Sequence, residues 1–256
     1  MNTARRIWLT GASSGIGAAL AEQLLQEGQR VAVSARRVEP LQALAARYPE
    51  QVLLVPGDLG EAEQVRAMAL RIHQAWGGLD TVILNAGTCE YVEVADFQAA
   101  MLERVLRANL LSAAYCIEVG LPLLRAGNQP HLVGMGSSVT YLPLPRAEFY
   151  GASKAGLRYL LEALRIDLAD EGIDVTLISP GFVDTPLTQK NDFPMPLRWS
   201  AAKAAVHIAA KLKQRPYEIA FPGPFIGILL LLAHLPKRLQ LAIGKRMARN
   251  AAQGDL

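Results

Sequence analysis

Apolar residues along the chain gather in short, nearly continuous runs at residues 7–10, 31–34, 52–55, 81–84, 131–135, 175–179 and 218–221, with helix-length segments between most of them. Runs of four or five β-branched or leucine-rich residues read as strands, and strands without polar alternation belong to a parallel sheet covered on both faces. The segments between carry the other period. Ile16, Leu20 and Leu24 recur every four residues, and so do Leu157, Leu161 and Arg165 in a stretch that begins near Tyr150. Gly28 and Gly172 follow two of these stretches, where a left-handed C-terminal cap sits. The pattern predicts an α/β fold, a single-domain doubly wound parallel sheet of about seven strands with helices on both faces. The prolines at 143/145 and 194/196 mark loops, and in such sheets the loops beyond the strands' carboxyl ends hold ligands.

Composition narrows the class. A chain of 256 residues that is 51% hydrophobic and 19% charged has material for a substantial core, which excludes disorder as its main state. The net charge is +3, but Lys237, Arg238, Lys245, Arg246 and Arg249 cluster after Pro236 with no acid before Asp255, so the rest of the chain carries −2. That balance argues against a nucleic-acid-binding body and leaves the tail free to meet a membrane surface or a phosphate. Cys89 and Cys116 lack CxxC spacing, and His73, His131 and His207 have no partner at ligand spacing, so neither a disulfide framework nor a metal site is expected. The chain runs from Met1 straight into Ile7-Trp8-Leu9, too short an apolar stretch for a secretory signal; a reducing cytoplasm fits.

The first strand ends in Thr10-Gly11-Ala12-Ser13-Ser14-Gly15-Ile16-Gly17 and a helical stretch follows at once. Glycines there allow a sharp turn and close approach of a pyrophosphate, while the helix N-terminus offers free N–H groups and a partial positive charge. The spacing is GxxxGxG. It resembles the TGxxxGIG signature of the short-chain dehydrogenase/reductase family, whose glycine turn binds the adenosine diphosphate half of a nicotinamide cofactor. The resemblance implies a Rossmann-like sheet and makes Gly11, Ser13, Ser14, Gly15, Ile16 and Gly17 cofactor contacts.

About 20 residues beyond the turn, an NAD-specific site places a carboxylate to meet the ribose 2′-hydroxyl. Here the stretch reads Ser34-Ala35-Arg36-Arg37, with no acid and two guanidinium groups suited to a 2′-phosphate, so NADP(H) is the expected cofactor. NADPH-preferring members of the family carry arginine at this point. By the same resemblance Asp58 and Leu59 meet the adenine, and Asn85-Ala86-Gly87 matches the NNAG motif lining the trough, with Leu84 in place of its first Asn. Pro180-Gly181-Phe182-Val183-Asp184-Thr185 is similar to PGxxxT, which implies that Pro180 and Gly181 line the site, Val183 meets the carboxamide and Thr185 reaches the phosphates.

Tyr150-Gly151-Ala152-Ser153-Lys154 places a phenol and an ammonium one helical turn apart on the same face. A tyrosine with a pKa near 10 rarely offers a phenolate at neutral pH, and a neighbouring Lys⁺ stabilises that form. Such a pair is common by chance, but Ser137 and Ser138 close the fifth strand just upstream and Asn109 precedes them, in the order of the family tetrad. The resemblance implies Tyr150 as proton donor or base, Lys154 as the group that lowers its pKa and holds the ribose, Asn109 as the residue ordering a relay water, and a serine polarising the carbonyl. Ser138 is the expected serine, as the second of the pair; Ser137 is the alternative.

The resemblance covers residues 5–200, which divides the chain into a cofactor and catalytic core (1–185), a substrate lid with its following helix (186–215) and a last strand with an apolar, basic C-terminal extension (216–256). Phe182, Leu187, Phe193, Met195 and Trp199 fall where a lid is expected and suggest a lipophilic carbonyl or alcohol. The apolar run at residues 225–233 is too short to span a bilayer; it is open to a membrane interface, a contact with another subunit, or a role as roof of the substrate pocket. The family implies a homodimer or homotetramer. The leading function is NADP(H)-dependent interconversion of a carbonyl and an alcohol. The alternatives are a nucleotide-sensing or membrane- or partner-binding protein that keeps the fold, and a dehydratase or epimerase on the same scaffold.

Overall fold

Runs that bury both faces are satisfied by stacking side by side in one sheet, and the computed structural model, which describes residues 4–252, shows that arrangement. The side chains of Lys190 and Arg249 lie outside the described residues, as does Asp255. The chain opens with β1 (Arg6–Thr10), α1 (Gly15–Gln26), β2 (Arg30–Ser34), α2 (Glu39–Arg47), β3 (Val52–Leu54), α3 (Ala62–Trp76) and β4 (Thr81–Leu84). Next, α4 (Ala99–Leu106) passes through a π-helical turn, Arg107–Leu111, straight into α5 (Ser112–Arg125). Then come β5 (His131–Met135), α6 (Glu148–Asp167), β6 (Asp174–Pro180), the two-residue strands β7 (Val183–Asp184) and β8 (Trp199–Ser200), α7 (Ala201–Leu212) and β9 (Glu218–Phe221). The last elements are α8 (Gly223–Ala233) and α9 (Lys237–Ala252). The expected strands at 81–84, 131–135 and 218–221 coincide with β4, β5 and β9; β1, β2 and β3 differ from expectation by one residue at one end, and β6 by one residue at each end.

The seven long strands lie in the order β3-β2-β1-β4-β5-β6-β9, all parallel, while β7 and β8 form a small separate pair. This is the Rossmann-like doubly wound sheet. Side chains alternate across it with the period of two that a strand imposes. Ile7 and Leu9 enter the apolar layer under α1 and α7, whereas Trp8 enters the layer under α3 and α5. Trp8 is completely buried, and its indole Nε1 donates to Ser34 Oγ at 2.8 Å, so the one polar atom of the ring is satisfied.

Gly28 and Gly172 adopt the left-handed conformation (φ 79° and 68°), and the next residues bond back to Leu24 and Leu168 carbonyls at 3.0 and 3.2 Å. Gly28 closes the end of α1 as expected, whereas α6 ends at Asp167 and Gly172 closes the separate turn that follows it. At the sheet's amino-terminal edge, burial disfavours the Asp80 carboxylate, but the Arg6 guanidinium and the N–H groups of Arg6 and Asn128 outweigh it and hold its pKa below the ordinary value. The opposite edge is open. Because β2 and β4 flank β1 on opposite sides, the connections leaving β1 and β4 diverge above their carboxyl ends, and a crevice forms at that switch point.

Candidate active site

The crevice is a trough of about 790 Å³ running across the strands' carboxyl ends. Its floor is the turn between β1 and α1. Gly11 and Gly15 take φ of 69° and 56°, and a Cβ on Gly17 would stand 2.2 Å from the Gly11 carbonyl oxygen and 2.4 Å from Asn85 Nδ2. No side chain fits at residue 17, so the glycine lets the turn fold flat on the loop after β4. Ser14 precedes α1 in an extended conformation and makes no side-chain cap, which leaves the first N–H groups of the helix to face the trough. Ser13, Ser14 and Ile16 complete this wall.

Asn85 lines the trough, yet its side chain is spent on the turn itself. Its Nδ2 donates to the carbonyls of Thr10 at 2.9 Å and Gly11 at 3.2 Å, while Thr10 Oγ1 accepts from the backbone N–H of Asn85 and of Ala86 at 2.9 and 3.1 Å. Beside this brace Ala86 and Gly87 continue the wall. Arg36 and Arg37 stand exposed at the rim above β2, and Arg37 Nη2 donates to the Ser13 carbonyl at 3.3 Å. Asp58 accepts from the N–H of Gly60 at 2.8 Å, which shapes the loop after β3, and Leu59 lies beside it.

The other end of the trough gathers the polar groups of β5 and α6. Tyr150 and Lys154 both line it. Lys154 is buried, and its Nζ donates to the carbonyl of Met135 at 2.7 Å, while standing 5.9 Å from the centre of the Tyr150 ring. Burial lowers the lysine's pKa to about 8. Burial also pushes the Tyr150 phenol up to about 12, against a hydrogen bond with Ser137 that pulls it down. The phenol is therefore a protonated acid at neutral pH, with the Ser137 hydroxyl as its neighbour.

The structure places the two candidate serines differently. Ser137 lines the trough in an extended conformation, and its Oγ accepts from Val139 N at 3.2 Å. Ser138 begins the 3₁₀ turn Ser138–Thr140, is buried, and is not among the trough's lining residues. Of the two, Ser137 is the one that lines the trough with Tyr150.

Asn109 sits in the π-helical turn and is buried. Its amide makes a closed set of bonds: Oδ1 accepts from Thr88 N at 2.7 Å, and Nδ2 donates to Thr88 O at 2.9 Å and to Ser153 Oγ at 2.8 Å. Ser153 in turn donates to the Tyr150 carbonyl at 2.7 Å. The side chain thus braces the loop after β4 against α6 and does not line the trough. Ser153 and Thr88 escaped notice in the sequence, although Ser153 stands next to Lys154. Gly87 completes the fit, since a Cβ there would come within 3.0 Å of Asn109 Oδ1 and 3.3 Å of Lys154 Nζ.

Pro180, Gly181, Val183 and Thr185 line the trough together with Leu187 and Thr188. Thr188 Oγ1 donates to the Val183 carbonyl at 2.6 Å and accepts from Thr185 N at 3.1 Å, which curls the segment over Gly15. Beyond it, Phe182 packs on Phe193 and Phe225, and Phe193 meets Tyr91 edge-on at 5.5 Å. Tyr91 donates to Asn191 Oδ1 at 2.5 Å, and Arg146 bridges Asp192 and Glu93 at 2.8 Å each. The Tyr91 and Arg146 ties went unseen in the sequence because they join residues far apart along the chain. Trp199 is not part of this lid. Its ring stacks on Phe221 at 5.0 Å and meets His207 edge-on, on the side of the sheet that α7 covers.

The doubly wound sheet, the glycine turn at its switch point and the Tyr150–Lys154 pair at the far end of the trough define an α/β protein with a candidate active site at its sheet's carboxyl edge. The family model for short chain dehydrogenases matches residues 5–196, and the chain belongs to that family. It is 31% identical over 244 residues to an uncharacterized oxidoreductase of Mycobacterium tuberculosis, covering 93% of this chain and 96% of that one. An uncharacterized oxidoreductase of Myxococcus xanthus is 32% identical over 246 residues, at 95% and 97% coverage. Among solved structures, a short-chain dehydrogenase from Streptomyces avermitilis superposes with a TM-score of 0.83 at 24% identity, covering 97% of this chain and 99% of that one. The Pseudomonas aeruginosa RhlG/NADP active-site complex has a TM-score of 0.79 at 28% identity, with 88% and 97% covered.

Proposed function

We propose that this oxidoreductase interconverts a lipophilic carbonyl and its alcohol with NADP(H). The observation that carries the reading is the convergence of Tyr150, Ser137 and Lys154 at one end of a trough whose other end is a glycine turn rimmed by arginines. The residues fit the cofactor. Gly11, Gly15 and Gly17 leave backbone for a pyrophosphate to approach, and the rim after β2 offers Arg36 and Arg37 where a ribose-binding acid is missing. RhlG, which shares this fold at 28% identity, is solved with NADP.

When bound, the nicotinamide supplies a hydride to the carbonyl carbon. Tyr150, held protonated by burial, delivers its proton to the carbonyl oxygen as the C=O π bond breaks, and the Ser137 hydroxyl donates a hydrogen bond to the same oxygen. Lys154 supplies positive charge beside the phenolate that results. Its bond to Met135 fixes it there, and the Asn109–Ser153 brace holds the turn of α6 that carries both groups. Asn109 is thus a positioning residue. Leu187 lines the trough, and the Phe182–Phe193 contact packs the segment beside it, an apolar setting that favours a lipophilic substrate.

The test is oxidation of NADPH and NADH with a panel of aldehydes and ketones. Preference for NADPH that falls about 10-fold or more in Arg36→Ala supports the assignment, given the strength of guanidinium–phosphate contacts. Equal use of the two cofactors would remove the NADP(H) reading.

A further inference from the structure

The helix α8 contains eleven residues and no charged side chain. Its inner side is accounted for: Phe225, Ile226 and Leu229 are buried against Leu142 and Phe182, so the helix roofs the loop after β5 and the base of the lid. Its outer side is not. Ile228, Leu230 and Leu231 are 52%, 41% and 68% exposed, on a helix that leaves no polar residue there to meet water. After a short turn, α9 repeats the theme in another form. Leu239, Ile243 and Met247 recur every four residues along one face, and Lys237, Arg238, Lys245 and Arg246 stand around the other positions together with the exposed Leu241. Among the described residues none of α9 is buried, and its side-chain tie to the preceding chain is Gln240, which donates to the Ala233 and Leu235 carbonyls at 2.8 Å each.

Two adjoining helices therefore present leucine, isoleucine and methionine beside a run of cations, with no acid between Glu218 and Asp255. No described helix is long and apolar enough to cross a membrane. A second copy of the chain docking α9 on α9 would oppose cation to cation. An anionic lipid surface answers both features, since acyl chains take the apolar side chains and lipid phosphates take the lysines and arginines.

We propose that α8 and α9 dock the protein on the surface of an anionic lipid bilayer, with Ile228, Leu231 and Leu239 in the interface and Lys237, Arg238, Lys245 and Arg246 at the headgroups. Because Phe225 on the inner side of α8 packs on Phe182 of the lid at 5.3 Å, the docked face is the back of the substrate roof. A carbonyl compound dissolved in the bilayer then lies beside the pocket; this consequence, unlike the docking, rests on the lipophilic-substrate reading.

The experiment is co-sedimentation of the full chain with phosphatidylglycerol–phosphatidylcholine vesicles and with phosphatidylcholine vesicles, which requires no turnover. Binding to the anionic vesicles alone is expected, falling about 10-fold or more when salt screens the surface. Leu231→Glu, and separately Lys245→Glu with Arg246→Glu, should each abolish it while the melting temperature stays at the wild-type value. Absence of binding to anionic vesicles overturns the proposal. So does a Leu231→Glu variant that binds like wild type, or one that turns an oligomer into a smaller species in lipid-free solution, which would assign this face to a second copy.

Discussion

The Nζ of Lys154 donates a 2.7 Å hydrogen bond to the carbonyl of Met135, and this bond ties the helix that carries Tyr150 to the strand end that presents Ser137. Burial lowers the lysine's pKa to about 8. Below that pH the charge is present; above it the charge is lost and the phenolate left by proton transfer has no cation beside it. The rate of carbonyl reduction should therefore fall as pH rises through about 8. In Lys154→Met the rate should be lower by roughly 100-fold or more, with that limb of the pH profile gone. A pH–rate profile of the two proteins checks both.

The two serines make opposite predictions. Ser137→Ala removes the hydroxyl beside Tyr150 and should lower kcat by about 100-fold, the usual scale for loss of one preorganised donor, with KM changed little. Ser138→Ala should stay within a few-fold of wild type, because that side chain does not line the trough. Steady-state kinetics of the pair would reverse the assignment if the effects were exchanged.

At the glycine turn, Gly17→Ala sets a Cβ against backbone at 2.2 Å, and no side-chain movement relieves that contact. The turn must open, so cofactor affinity should fall more than 10-fold and the melting temperature should drop. Asn85→Ala removes two side-chain bonds to the turn and should destabilise the fold by about 1–3 kcal/mol while weakening cofactor binding less. Calorimetric titration and thermal denaturation separate the two effects.

His131 supplies an acid-sensitive element away from the site. It is buried, its Nε2 faces Thr176 Oγ1 at 2.8 Å, and burial together with Arg215 and Arg5 lowers its pKa to about 4. The Thr176 hydroxyl donates to the Pro216 carbonyl at 2.6 Å, so the imidazole is the donor in their contact, and with its pKa lowered to about 4 the ring is neutral at pH 7. The unfolded state, with a pKa near 6.5, then binds more protons between pH 6.5 and about 4, and stability is lost as pH falls through that window. The loss is on the order of 3 kcal/mol. His131→Gln should be less stable at neutral pH, with a shallower loss on acidification, as read by denaturant unfolding at several pH values.

The strands were legible because a parallel strand buried on both faces leaves a continuous apolar run, and β4, β5 and β9 begin and end where those runs do. The glycine turn was legible because only residues without a Cβ fit its contacts. What escaped was side-chain direction. Whether Ser137 or Ser138 faces the trough is a matter of which side of the strand end each occupies, and a loop of free length between serine and tyrosine hides that choice. Asn109 lies in a π-helical turn that shifts the facing of helical residues, so a polar residue in a helical stretch gave no sign that its amide closes on Thr88 and Ser153. Trp199 reads as lid by its place in the chain, but Phe221 and His207, which come to it from β9 and α7, decide where its ring lies.

The most direct test of the central claim is NADPH oxidation with carbonyl compounds of increasing chain length by the wild-type protein and by Tyr150→Phe. Turnover that rises with chain length and falls by at least about 100-fold in the variant, with NADPH binding retained in both, is the predicted result. Undiminished turnover in Tyr150→Phe would contradict Tyr150 as the proton donor, and faster turnover of short polar ketones would contradict the lipophilic substrate.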